Sequence, residues 1–104
     1  MEPTLTLLYF ERCPHWREAE SRARQALREV GLSEEALGMR RVEALEDAER
    51  LSFRGSPTLL VDGEDPFTDP GAPVGLACRV YPTSAGPAGA PSVEELTAAL
   101  RSAM

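Results

Sequence analysis

The chain has 104 residues, the size of one domain built on a single hydrophobic core. Eleven Lys plus Arg against seventeen Asp plus Glu give a net charge of −6. No basic stripe of the kind nucleic acid requires is present, and an anionic membrane surface is disfavoured for the same reason. No run approaches the roughly 20 apolar residues of a membrane span. The start, Met1-Glu2-Pro3-Thr4, carries an acid where a signal peptide has basic residues. The expectation is therefore a cytoplasmic protein, one domain over 1–104. The chain has no Lys, Ile or Asn, a pattern that reads as GC-rich codon usage and not as function.

Leu5-Thr6-Leu7-Leu8-Tyr9-Phe10 is a short apolar run suited to a strand buried on both faces. Glu11-Arg12-Cys13-Pro14 ends it. Proline is favoured at the first helical position, which predicts a helix from Pro14 with Cys13 as its N-cap. Trp16, Ala19, Ala23, Ala26, Leu27 and Val30 recur at helical spacing, and Gly31 supplies the stop. Ser33 to Leu37 suits a single turn, and Met39 to Ala44 a second strand. Leu45 to Phe53 reads as a short helix with Glu46 and Asp47 in its first turn.

Gly55-Ser56-Pro57 breaks the chain before the apolar Thr58-Leu59-Leu60-Val61. Asp62-Gly63 is a hairpin signal, predicting a return strand over Glu64 to Phe67 with pairing restricted by Pro66. Six of the nine prolines fall between 66 and 91, so residues 68–91 read as an irregular connection, with apolar density only over Val74 to Tyr81. Ser92-Val93-Glu94-Glu95 is a capping box opening a last helix through Leu96, Ala99 and Leu100. The order β-α-β-α-β-β-α predicts an α/β fold: a four-stranded mixed sheet with its first two strands parallel and helices on both faces.

Cys13 and Cys78 carry the chemistry. In a chain that reads as cytoplasmic, catalysis, metal binding or plain burial compete ahead of a structural disulfide. A thiol at a helix start meets unpaired N–H groups and the positive end of the dipole, both of which favour the thiolate, and Arg12 and protonated His15 would add to this. The alternative is a small residue that merely caps the helix. Cys78, between Ala77 and Arg79 in the apolar stretch, reads either as a second reactive thiol or as a packed core cysteine. His15 reads as a group tuning the sulfur or as a solvent-facing side chain, and Trp16 as a core or pocket-lining residue.

A buried strand ending in Cys13-Pro14-His15-Trp16, followed by Gly55-Ser56-Pro57-Thr58 before a third strand, resembles the thioredoxin and glutaredoxin superfamily. The resemblance implies that Cys13 is the nucleophile and that Pro57 is a cis-proline packed against it. Ser56 and Pro57 would then present backbone to substrate, with His15 and Trp16 beside them. Trp16 stands where that family has its second cysteine or a serine, so the two-cysteine cycle within the motif is closed to this chain. Cys78, or an external thiol such as glutathione, would have to resolve the intermediate. No resident cofactor is expected; partners would be protein or small-molecule thiols and disulfides. Two further readings compete. One is a binding module in which Cys13, Cys78 and His15 hold a soft metal such as zinc, copper(I) or mercury. The other is an interaction protein that seats a peptide between Trp16 and Pro57.

Overall fold

The structure is a computed structural model that describes residues 2–51, 53–67, 74–76, 79–83 and 86–104. Strand β1 is Leu5–Tyr9, helix α1 is Trp16–Glu29, and a 3-10 turn occupies Glu34–Ala36. Strand β2 (Leu37–Arg41), helix α2 (Leu45–Leu51) and strand β3 (Thr58–Val61) come next. Strands β4 (Tyr81–Thr83) and β5 (Gly86–Ala88) precede the closing helix α3 (Val93–Ser102).

The expected four-stranded sheet is not what forms. A three-stranded mixed sheet has the order β2-β1-β3, and β4 and β5 make a separate two-stranded sheet. β1 runs parallel to β2, as expected of a strand-helix-strand unit, and antiparallel to β3. The Asp62-Gly63 turn does form. Both residues take positive φ, 52° and 82°, and Val61 and Glu64 exchange both backbone hydrogen bonds, at 2.8 and 3.0 Å. The return strand then stops after the single Val61–Glu64 bridge. Pro66 has no N–H to extend a ladder, and the Asp65 carboxylate accepts from the Phe67 N–H at 2.8 Å, folding the chain off the strand path.

Two other boundaries move. β2 begins at Leu37 and not Met39, because Leu37 pairs with Leu5 and is buried in the core. α1 begins at Trp16, with His15 as N-cap and the Ala19 N–H bonded to the His15 carbonyl at 3.1 Å. Pro14 is exposed, and Cys13 closes a turn through its N–H to the Phe10 carbonyl at 2.9 Å. Cys13 therefore lies two residues upstream of the N-cap.

The alternation of β1 divides the interior in two. Leu5 and Leu7 pack with Ala19, Ala23, Ala26 and Leu27 of α1 and with Leu96 and Leu100 of α3. Leu8 points the other way, to Val42, Ala48 and Phe53 around α2. Three alanines on α1 leave room for α3 to approach it closely. α1 ends in a double-bonded glycine cap: Gly31, at φ 81°, bonds back to Arg28 at 3.0 Å, and Leu32 to Leu27 at 2.9 Å. The capping box of α3 forms in full between Ser92 and Glu95. No helix of the described residues is long and apolar enough to cross a membrane.

Candidate functional site

The carboxyl end of β1 delivers the chain into the Phe10–Cys13 turn, and three contacts of Trp16 hold that turn in place. Trp16 stacks on Tyr9 with ring centroids 4.5 Å apart. Its indole Nε1–H donates to the Glu11 carbonyl at 3.2 Å. The Arg17 guanidinium lies 5.0 Å over the same ring. Trp16 is half-buried and braces the turn that carries Cys13.

Across from Cys13 lies the segment Gly55–Thr58, with Ser56 and Pro57 joined by a cis peptide bond. Cys13 Sγ is 3.3 Å from the Ser56 carbonyl oxygen, to which the thiol donates. Sequence reasoning therefore paired the correct segments. It misjudged the surroundings, since Cys13 is only 1% exposed and Ser56 and Pro57 are fully enclosed. The sulfur meets the Ser56 carbonyl acceptor, and the helix start lies three residues on, at Trp16.

His15 packs against the Gly89 backbone and is half-buried. Cys78 lies outside the described residues, so its approach to Cys13 is not part of this geometry. Among the described residues, no group of three or more His, Cys, Asp or Glu could hold a metal ion.

The residues that sequence reasoning missed are Arg79 and Tyr81, together with Asp65 from the abandoned return strand. The Arg79 N–H donates to the same Ser56 carbonyl at 2.8 Å. Its guanidinium pairs with Asp65 at 2.6 Å, reaches Thr58 Oγ1 at 3.4 Å and the Phe67 carbonyl, and lies 4.6 Å over the Tyr81 ring. The Arg79 and Asp65 side chains are only 6% and 18% exposed, so this pair is shielded from screening by solvent. Tyr81 donates its hydroxyl to the Pro57 carbonyl, and Phe67 meets its ring edge-on at 5.8 Å. Burial pushes the Tyr81 phenol well above its ordinary range; Asp65 and Cys13 add to the shift and Arg79 opposes it. The Ser56 Oγ accepts the Phe10 N–H at 2.9 Å, and Thr58 Oγ1 donates to the Gly55 carbonyl at 2.6 Å. The Gly55–Thr58 segment is thereby closed on itself and tied to Phe10, Cys13, Arg79 and Tyr81. An arginine and a tyrosine flanking an exposed valine in a proline-rich stretch carry no pattern that announces this.

Beside the site, a groove of about 480 Å³ opens where β1 and β2 end, lined by Phe10, Glu11, Arg12, Arg41, Val42 and Glu43. Its lining stops one residue short of Cys13. Arg41 is held there by Glu43 and, at 2.8 Å, by Glu11; both carboxylates raise its pKa further, Glu43 more strongly.

Comparisons with protein-family models, curated proteins and solved structures find no match to this chain.

Proposed function

We propose that the protein is a thioredoxin-like thiol–disulfide redox protein whose reactive sulfur is Cys13. The observation that carries this reading is the contact of Cys13 Sγ with the Ser56 carbonyl, 3.3 Å apart, between a strand end and a helix start. The sulfur is thereby held at a fixed point beside backbone polar groups, where a disulfide substrate could be aligned. In the exchange, Cys13 loses its proton to solvent and its thiolate attacks one sulfur of a disulfide. A new S–S bond forms, the old one breaks, and the departing sulfur leaves as a thiolate that takes up a proton. Glutathione then attacks the substrate sulfur of the mixed disulfide, releasing Cys13 as its thiolate and leaving a glutathione–substrate disulfide. If Cys78 attacks the Cys13 sulfur instead, the substrate leaves as a thiol, and the resulting Cys13–Cys78 disulfide is reduced by two equivalents of glutathione, which end as glutathione disulfide.

The burial of Cys13 favours a second reading, a binding module of the same kind of fold without redox chemistry, holding a soft metal or a peptide. One experiment separates the two. With Cys13 as the sole thiol in Cys78→Ser, glutathione disulfide is added to the folded protein and the adduct is located by mass spectrometry. A mixed disulfide on Cys13, and insulin reduction by the parent chain that is lost in Cys13→Ser, support the redox reading. A Cys13 that stays unmodified until the chain is unfolded rejects it.

A further inference from the structure

We infer that residues 79–81 form a latched cover over Cys13, and that the Arg79–Asp65 ion pair is the latch. The inference rests on the redox reading only for its purpose; the geometry stands apart from it. Two donors converge on the Ser56 carbonyl, Cys13 Sγ at 3.3 Å and the Arg79 N–H at 2.8 Å, so one oxygen links the Arg79 backbone to the sulfur. Both lone pairs of that oxygen are used from within the chain. An incoming backbone that needed the same acceptor would first have to displace Arg79.

The cover is anchored by packing at one end only, at Tyr81, whose buried ring meets Phe67 and whose backbone pairs with Ala88. Val80 is 69% exposed, and of the three residues only Tyr81 contributes a buried ring. Ahead of Tyr81 the tether is polar: the Arg79 guanidinium on Asp65, Thr58 and the Phe67 carbonyl. A buried ion pair is a poor source of net stability but a steep one to break by halves, since the surviving charge is left unpaired in the interior. That is the behaviour of a latch. An exposed valine and a polar tether place residues 79–80, ahead of the anchored Tyr81, at the low-stability end of the fold, where local opening precedes global unfolding.

The test uses Cys78→Ser, in which Cys13 is the sole thiol, and reads its labelling by Ellman's reagent across urea concentrations below the unfolding transition. Labelling is expected to be slow and to depend on urea more weakly than exchange of a β1 core amide such as Leu7. The Arg79 amide should exchange with the same opening equilibrium as the labelling, because both report one event. Adding Asp65→Asn should speed labelling about tenfold or more while the circular dichroism stays that of the folded chain. The inference is overturned if Cys13 labels with the urea dependence of the Leu7 amide, or if folded Asp65→Asn labels at the parent rate. Should Asp65→Asn not fold, the comparison of the Arg79 and Leu7 amides in the parent decides alone. Fast labelling of Asp65→Asn with no mixed disulfide from glutathione disulfide would keep the cover and remove the redox reading.

Discussion

Gly89 and His15 face each other at a distance that only a glycine permits. A Cβ at position 89 would come within 2.7 Å of His15 Cδ2 and closer still to Cγ and Nδ1. This contact joins the N-cap of α1 to the turn that leads into α3, so the motif carrying Cys13 is registered against the far end of the chain. Gly89→Ala is expected to push the imidazole aside and to lower stability by about 1–3 kcal/mol, as overpacking does. Urea unfolding measures the loss. A change of His15 to Ala in the same chain should recover most of it, and an unchanged urea midpoint in Gly89→Ala would contradict the contact.

Ser56 acts through its side chain as well as its carbonyl. The Oγ accepts the Phe10 N–H at 2.9 Å, just where β1 turns toward Cys13. Ser56→Ala leaves that amide without its partner and should cost about 1–3 kcal/mol. Exchange of the Phe10 amide, tracked by NMR, should accelerate more than exchange of the Leu7 amide.

Tyr81 makes stability fall at alkaline pH. Its phenol is buried, and its pKa is raised above the ordinary 10.0. Below pH 10 both the folded and unfolded chains keep the proton, and the contribution to stability is fully present. Above it the unfolded chain ionises first and binds fewer protons, so stability drops by up to about 1.4 kcal/mol per pH unit until the folded phenol titrates too. Urea midpoints compared at about pH 9 and about pH 11 should diverge in the parent and converge in Tyr81→Phe. The same substitution should cost about 0.5–1.5 kcal/mol at neutral pH, through the lost hydrogen bond to the Pro57 carbonyl.

Thr97 offers the opposite sign. Its Oγ1 is buried on α3 with no hydrogen-bond partner among the described residues, so the hydroxyl was desolvated without compensation. Thr97→Val keeps the branched shape and removes the orphan. A gain of about 1 kcal/mol is expected in thermal or urea unfolding, and a loss would show that the hydroxyl is satisfied in solution.

Much of the frame was legible because its signals are local. The apolar run of β1, the helical spacing of α1, the glycine at its end and the capping box of α3 each depend on residues within one or two turns of one another. The Asp62-Gly63 turn was legible for the same reason, since its two positive φ angles suit glycine and a short acidic side chain. The strand after it was not, because whether Glu64 to Phe67 continues a ladder depends on where the Asp65 carboxylate goes, and it goes to Arg79, fourteen residues away. β4 and β5 escaped notice because each has three residues and a central proline, Pro82 facing Pro87, too little for any periodicity to register.

For the site, the sequence by itself determined that a cysteine would stand at the end of a buried strand and before an amphipathic helix, and that Gly55-Ser56-Pro57 would break the chain ahead of the next strand. Hydrophobic pattern and the restricted backbones of proline and glycine are enough for that. Only the tertiary structure decided that the sulfur would be enclosed, that it would share one carbonyl oxygen with the Arg79 amide, and that a charged pair would fasten that segment in place. Such outcomes are set by which distant groups find each other when water is excluded, and an oxygen with two lone pairs does not announce in the sequence who will fill them.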